Sequence, residues 1–456
     1  METTASLESP RYESWCIQRE TLLVSLIGLF LAGQFVALNG QYFESLSQSY
    51  TVYVKISRYG SLIPLFLAAF LSIDWGRGSY FVSRFNRGVM LWVAAVFVCA
   101  TVSMFLGWSL RGYAFEEALK DYAPYLVILS CILTCSDEKL LSRLEPLLLL
   151  IFIGSLVLNF LGMLDIGNLL MFSASMEERV ARDLTSYRIQ SSLSLWPLLL
   201  IMSFSKPLRL RNLLVYVGVV FVLVQQILFQ KRAPTIRIIL FLLAVFLVIP
   251  YLRRKYWCNQ EVLRKRWDRL VALVLTLVLL GTAVLALRID VLSAQGHALM
   301  LRYLGKSDAE QYKRKTVLDV LILENDRIQE AKYFIDDLSS WEILIGKGMG
   351  GFYTLPTEEG QWLADIEQVG RRELHMGVLM PFFKGGVILF VVFYIWILIL
   401  FTYWKRARYD PATSAAYLIL SVWAIFLFTE GSFILSNSFD LFNVGTSIGI
   451  LSRRIL

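Results

Sequence analysis

Charged residues, histidine and cysteine are all scarce in this chain of 456 residues. Charged residues make up 18% of it, against about 25% in a soluble globular domain. There are two histidines and five cysteines, and no four cysteines have the spacing of metal ligands. Cys131 and Cys135, four positions apart on one predicted helix, are interpreted as small apolar packing residues. The composition therefore argues against a soluble domain and against a structural zinc site.

Long apolar runs dominate the rest of the chain. It is 57% hydrophobic and 14% aromatic, and its mean hydropathy is +0.59. Runs of about 17–25 residues are long enough to cross a bilayer about 30 Å thick. The sequence therefore predicts an all-α, polytopic membrane protein with a retained first helix. About twelve transmembrane helices are predicted, at residues 21–38, 56–73, 88–107, 122–135, 147–164, 191–205, 213–230, 235–251, 270–287, 376–402, 412–429 and 433–450.

The basic residues predict the direction of these spans. If the N-terminus is cytoplasmic, half of the 44 lysines and arginines fall in cytoplasmic segments, as the positive-inside rule requires. Both termini are therefore predicted to be cytoplasmic. The domain organisation that follows is nine helices in residues 1–287, one large external helical loop at 288–374, and three helices in 375–456. Segments 165–190 and 230–237 are also predicted to be external.

The large loop carries two local signals. Apolar residues at helical spacing predict a helix over residues 311–341, and the sequence GKGMGG at 346–351 is expected to end it. This glycine-rich run has the wrong spacing for a phosphate-binding Walker loop. Its N–H groups could face an anion, or it could be a plain turn, and the sequence leaves both open.

The external turn QKRAPTIR at residues 230–237 carries cations against the charge rule. Lys231 and Arg232 lie at the membrane face, and Arg237 falls within the next predicted helix, where an ionisable residue is costly. One interpretation is that the side chains snorkel to lipid headgroups. The other is that they bind an anion, since the arginine fork bonds two phosphate oxygens at once.

A histidine and two arginines stand at the start of the tenth span. His375 begins the predicted helix, where free N–H groups favour an anion, and Arg371 and Arg372 add two cations. Neighbouring cations keep an imidazole neutral, so His375 is a candidate general base beside an anionic substrate. His297 lacks such neighbours and is interpreted as structural.

The tenth span is predicted to be interrupted. Pro381 and the pair Gly385–Gly386 should bend or break it, and broken helices at membrane depth line a cavity or lie within protein. Lys384 lies inside this predicted break, and its charge is taken to favour a polar cavity there.

The order of these motifs resembles a known family. Arg327, then Trp341 and GKGMG from Gly346, precede His375, and a GGV triplet follows at Gly385. With the preceding basic turn, this order resembles the bacterial O-antigen ligase and O-antigen polymerase superfamily. The resemblance covers residues 190–402 at the level of motifs.

Two positions depart from that family's pattern. The family histidine is usually followed by asparagine, where this chain has Met376. The family's basic turn often reads Ser-Arg-Gly, where this chain has Lys231, Arg232 and Ala233.

The resemblance implies an enzyme of the bacterial inner membrane that polymerises polyprenyl-pyrophosphate-linked oligosaccharide units on the periplasmic face. It implies inversion at the anomeric carbon, no metal or other cofactor and no nucleic acid. Arg232 and Arg237, with Lys231, would hold the donor pyrophosphate, and His375 would activate the acceptor hydroxyl. Arg327, Arg371 and Arg372 would add positive charge. Expected partners are the lipid-linked donor and acceptor, membrane lipids and a chain-length regulator.

Three alternatives remain open at this stage. A ligase would pass the same donor glycan to a lipid A core or a protein. A flippase or other transporter of lipid-linked glycans would suit twelve spans, although related halves typical of transporters are not apparent. A structural subunit would leave the external cluster of basic residues and histidine unexplained.

Overall fold

The computed structural model of the protein describes residues 10–40, 56–73, 87–135, 138–163, 195, 198–199, 215, 218, 331–332, 334–353, 377–402, 411–427 and 438–455. These residues form helices and turns, with no β-strand element among them, so the all-α prediction is confirmed for this part of the chain. The helices are α1 (Pro10–Gly40), α2 (Leu62–Ser72), α3 (Arg87–Phe105), α4 (Phe115–Thr134), α5 (Glu138–Met163), α6 (Ser340–Ile345), α7 (Met380–Thr402), α8 (Pro411–Leu427) and α9 (Ser438–Ile455). A π-helical turn, Leu106–Leu110, extends α3, and a 3₁₀ turn, Gly377–Leu379, precedes α7.

Apolar helices long enough to cross a membrane support the predicted membrane character. Four such segments occur within the described residues, at Arg19–Ala37, Arg87–Leu110, Leu140–Val157 and Gly377–Thr402. Two shorter apolar helices occupy Ile56–Ser72 and Thr413–Ile425. All six overlap predicted spans.

The predicted boundaries are least accurate where a helix begins with polar residues. The fourth span was expected at 122–135, but α4 begins at Phe115. The fifth was expected at 147–164, but α5 begins at Glu138. In α4, Glu116 and Glu117 lie in the first turn, where carboxylates interact favourably with the positive end of the helix dipole. Hydropathy alone does not register this stabilisation.

Part of the predicted architecture lies outside the described residues. The sixth and seventh spans are described only at residues 195, 198–199, 215 and 218, and the eighth and ninth lie wholly outside. The two predicted boundaries of the large loop, at 287/288 and 374/375, also lie outside the described residues.

The ends of several helices meet at one end of the bundle. The side-chain nitrogen of Gln34, late in α1, donates 2.8 Å hydrogen bonds to the Arg58 carbonyl and the Ser61 hydroxyl, just before α2. Ser438, at the start of α9, donates to the Gln34 side-chain oxygen at 2.7 Å. Ser103, late in α3, donates to the carbonyl of Lys384, early in α7. This end is called the loop end below.

Different contacts hold the opposite end. Arg19, early in α1, donates to the carbonyl of Leu71, late in α2, at 2.6 Å. Arg143, early in α5, forms an ion pair with Glu20 at 2.9 Å. Helices α1 and α2 therefore run antiparallel and α1 and α5 parallel, which is the alternation that consecutive membrane crossings require.

Helix α9 lies in the interior of the bundle and packs against α4 and α8. A methyl group on Gly445 would lie 2.7 Å from the Cys131 Cβ atom, so α4 and α9 approach closely at this glycine. Cys131 and Cys135 are both fully buried, in agreement with the packing role predicted for them. The rings of Trp92 and Trp396, with centroids 6.0 Å apart, stack between α3 and α7.

The described part of the large loop is fastened to α7 by aromatic rings. Phe334, fully buried, lies edge-on to Phe383 with ring centroids 4.8 Å apart. Tyr353 meets the same Phe383 ring at 5.7 Å. Both ends of the segment 334–353 therefore rest on the first turn of α7.

Candidate functional site

The GKGMGG segment, residues 346–351, is inserted into the loop end of the bundle. All six of its N–H groups donate hydrogen bonds within the protein. The Lys347 and Gly348 groups donate to the Phe383 and Lys384 carbonyls at 2.9 and 3.1 Å. The Met349 group donates to the Ser103 carbonyl at 3.1 Å. Five of these N–H groups donate to backbone carbonyls and the Gly350 N–H donates to the Asp121 carboxylate. The segment is therefore a docked element rather than a plain turn, and the one anion that its N–H groups face is a side chain of the protein.

Glycine is required here because backbone meets backbone. Gly346, Gly348 and Gly350 have φ angles of 73°, 80° and 84°, a left-handed conformation that other residues adopt at a cost. A Cβ atom on Gly348 would lie 2.7 Å from the Cα of Gly107 in the π-helical turn. The segment thus fits against the turn after α3 only because Gly348 has no side chain.

A buried ion pair joins this segment to two helices. The Lys384 ammonium lies 2.6 Å from the Asp121 carboxylate, with side-chain exposures of 0% and 6%. It also donates to the Gly351 carbonyl at 2.8 Å, and it lies 4.4 Å from the centre of the Phe383 ring. The same Asp121 oxygen accepts the Gly350 N–H at 2.6 Å. Each charge is paired and hydrogen-bonded, as burial requires.

This pairing corrects the interpretation of Lys384. The residue was taken to favour a polar cavity in the break, whereas it is enclosed by Asp121, Gly351 and Phe383. The charge that a membrane helix would otherwise expose is neutralised inside the protein.

The predicted interruption of the tenth span is confirmed. Gly386 has φ 64° and ψ −166°, which is not helical. A Cβ atom there would lie 2.2 Å from the Leu344 carbonyl group, so the break admits the end of α6. Pro381 lies in the first turn of α7, where its missing N–H leaves no helical hydrogen bond unmade.

Helix α6 begins with its own cap and corrects the predicted loop helix. The sequence predicts one helix over 311–341 that ends at GKGMGG. In the described part, however, the chain leaves the helical conformation before Ser339, which starts a second, short helix. Ser339 and Glu342 form a capping box, each bonding the backbone N–H of the other. The break thus comes earlier than predicted, because a serine followed three residues later by glutamate starts a new helix.

Arg111 ties α6 to the turn after α3. Its guanidinium lies 2.6 Å from the Glu342 carboxylate and also donates to the Gly346 carbonyl at 3.2 Å. Burial alone would raise the pKa of Glu342, but hydrogen bonds from Ser339 and Arg111 outweigh it and lower that pKa from its ordinary value. A second ion pair joins Lys347 of the GKGMGG segment to Asp337, which precedes α6.

A small cavity adjoins Lys120, the residue that precedes Asp121 in α4. Its polar lining includes Gln34, Arg58, Tyr59, Lys120 and Ser438. Its volume is about 40 Å³, room for a few water molecules and too small for a sugar. Lys120 is already paired with Glu117 at 2.9 Å and Glu116 at 3.4 Å. The cavity is therefore too small to be the binding site of a pyrophosphate-linked glycan.

The residues predicted to act on substrate lie outside the described part of the chain. They are Lys231, Arg232, Arg237, Arg327, Arg371, Arg372 and His375, and the same holds for His297. Gly377, two residues after His375 in the sequence, begins the 3₁₀ turn that leads into α7. The predicted roles of these residues remain predictions.

Sequence reasoning missed the residues that receive the GKGMGG segment. These are Ser103, Gly107, Arg111 and Asp121. One signal was present, because Asp121 stands next to the predicted fourth span, where a carboxylate at a membrane helix calls for a partner. Among the described residues, no three His, Cys, Asp or Glu side chains come together as metal ligands.

Comparison of the chain with protein-family models, with curated proteins and with solved structures gives no match. Proposals about its function therefore depend on its own residues.

Proposed function

We propose that this protein is a membrane glycosyltransferase that polymerises polyprenyl-pyrophosphate-linked oligosaccharide units, as in the synthesis of O-antigen, capsule or exopolysaccharide. One structural observation carries the proposal. Two of the motifs on which the family resemblance rests, GKGMG and Gly385–Gly386, interlock: a Cβ atom on Gly346 would lie 2.5 Å from the Gly385 nitrogen. Motifs far apart in sequence thus meet near the start of α7, and α7 begins at Met380, five residues after His375 in the sequence.

The reaction proposed for this end of the bundle is substitution at an anomeric carbon. Arg232 and Arg237, with Lys231, hold the donor pyrophosphate, and Arg327, Arg371 and Arg372 add positive charge where the leaving group forms. Fixed cations aimed at developing charge are a large contribution to catalysis. The leaving group is already a stable anion, so it needs little help from a general acid.

His375 acts as the general base in this proposal. Its neutral imidazole accepts the proton of the acceptor hydroxyl as that oxygen forms its bond to the anomeric carbon. The bond from that carbon to the pyrophosphate oxygen breaks with its electron pair, and polyprenyl pyrophosphate departs. The configuration at the anomeric carbon is inverted, and no metal takes part.

The proposed setting is the bacterial inner membrane, with both termini in the cytoplasm and the loop end in the periplasm. Four helices able to cross a membrane support the membrane setting. The antiparallel course of α1 and α2 supports alternate crossings. The partners are the lipid-linked donor and acceptor, membrane lipids and a chain-length regulator.

The test uses purified protein in detergent, a polyprenyl-pyrophosphate oligosaccharide and a metal chelator, with the glycan products resolved on a gel. A polymerase produces a ladder from this lipid-linked substrate alone. Single glycans passed only to an added lipid A core would identify a ligase instead. If no acceptor gives product, but the lipid-linked glycan crosses a reconstituted bilayer, the protein is a transporter and the proposal is wrong.

A further inference from the structure

Lys384 is held through both its backbone and its side chain. Its carbonyl accepts hydrogen bonds from the Ser103 hydroxyl and, at 3.1 Å, from the Gly348 N–H. Its ammonium binds Asp121 at 2.6 Å and the Gly351 carbonyl at 2.8 Å. One residue of α7 is therefore connected to α3, to α4 and to the GKGMGG segment.

These connections fix the first turns of α7 in a way that apolar packing alone would not. A buried charge separated from its partner is strongly destabilising, so Lys384 cannot move away from Asp121 in small steps. Asp121 also accepts the Gly350 N–H at 2.6 Å. A shift of α7 along its axis would therefore break contacts both to α4 and to the docked GKGMGG segment.

We infer that Asp121 and Lys384 are positioning residues for glycan transfer: their buried pair fixes the start of α7, the helix that follows the proposed general base His375 in the sequence. The inference rests on the proposed function, since it assigns the pair an effect on that reaction. Helix α7 and its preceding 3₁₀ turn extend back from Lys384 to Gly377, which is two residues after His375 in the sequence. Misplacement of a catalytic group by about 1 Å can lower the rate about 100-fold.

A plain structural anchor is the competing explanation, and neutral replacements distinguish the two. Asp121→Asn alone and Lys384→Met alone each leave one side of the pair buried without its partner, so both should lose folded protein. The double variant Asp121→Asn/Lys384→Met removes both charges, and neutral replacement of a buried pair is often tolerated. Glu20→Gln/Arg143→Gln, at a half-exposed pair on the opposite end, is the matched control.

Docking of the GKGMGG segment can be measured without any glycan substrate. Tyr113 lies in the turn after α3, and Phe352 directly follows the GKGMGG segment. The centroids of their rings are 5.8 Å apart. The pair Tyr113→Cys and Phe352→Cys, in a chain whose five native cysteines are replaced by alanine, should be joined by a short bifunctional thiol reagent. The yield of joined product reports docking in each variant.

The experiment compares cross-linking yield, kcat and the KM for the lipid-linked donor across these variants. For the double neutral variant we expect wild-type cross-linking, a near-wild-type KM and a kcat lowered about 100-fold. Asp121→Glu, which keeps the charge and shifts the carboxylate by one methylene, should show the same split and serves if the double variant does not insert.

A wild-type kcat in the double variant or in Asp121→Glu would overturn the inference and show that the Asp121–Lys384 pair is only a structural anchor. A raised KM with an unchanged kcat in these variants would overturn it too. An inactive wild type with intact cross-linking would reject the proposed function, and the positioning role with it. An active wild type with unaffected variants would reject the positioning role alone.

Discussion

The backbones of Gly107 and Met349 are in direct contact. A methyl group on Gly107 would lie 1.9 Å from the Met349 carbonyl oxygen. The π-helical turn after α3 and the GKGMGG segment, which lie in distant parts of the sequence, therefore meet with no side chain between them. The fit of this segment depends on a few identifiable atoms, and each can be changed.

Gly107→Ala should displace the GKGMGG segment. The added methyl group cannot fit beside a backbone oxygen, and overpacking of this kind costs about 1–3 kcal/mol. We expect a lower melting temperature in detergent and a lower yield of the Tyr113→Cys/Phe352→Cys cross-link. Gly60→Ala is the control, because its methyl group would lie 3.9 Å from the Ile56 side chain, an ordinary contact. Wild-type cross-linking in Gly107→Ala would show that the segment is not docked as described.

Acid should weaken the attachment of α6. Burial alone would raise the pKa of Glu342, but the hydrogen bonds that it accepts from Ser339 and Arg111 lower that pKa in the folded protein. Its contribution to stability is therefore present above its ordinary pKa of 4.5 and is lost as the pH falls through the lowered value. Because the pair is partly exposed, the expected loss is only about 0.5–1 kcal/mol.

The measurement for this acid effect is cross-linking yield and melting temperature between neutral pH and about pH 3, a range that spans the usual glutamate pKa. Glu342→Gln retains the shape of the side chain without its charge, so its stability should be lower at neutral pH and should converge with wild type in acid. Parallel pH curves for the two proteins would mean that the Arg111 pair contributes nothing measurable.

The sequence predicts local features of this fold well and distant pairings poorly. Apolar runs locate α1, α3 and α7, because membrane helices are defined by their own residues. Gly385–Gly386 predict the break in α7 for the same reason, whereas Pro381, also expected to bend or break this span, lies in the first turn of α7 and does not interrupt it. The partner of Lys384 is Asp121, far away in sequence, and no local pattern selects it among the other carboxylates.

His375→Ala should abolish glycan transfer without affecting insertion of the protein. The proposed general base is lost, while the start of α7 is held by Lys384 and Ser103. His297→Ala is the matched control and should retain activity, because His297 has no cationic neighbours in the sequence. The measurement is transfer rate per milligram of purified, monodisperse protein. Equal rates in the two variants would remove His375 from the reaction.

Arg232→Lys should also fail to support transfer. Lysine keeps the positive charge but loses the planar fork that bonds two oxygens of one phosphate. The expected result is a fall in kcat of about 100-fold or more, by analogy with the loss of one donor to developing charge in other enzymes. A lysine would snorkel to lipid headgroups as well as an arginine does, so wild-type activity would support the snorkelling interpretation.

Release of polyprenyl pyrophosphate tests the central claim most directly. Purified wild-type protein is given the lipid-linked oligosaccharide with a chelator present, and released polyprenyl pyrophosphate is measured beside the growth of the glycan. The proposed polymerase releases one polyprenyl pyrophosphate for each unit joined, without added metal. If no polyprenyl pyrophosphate appears while the intact lipid-linked glycan moves across the membrane, the protein is a transporter and the account of glycan transfer is wrong.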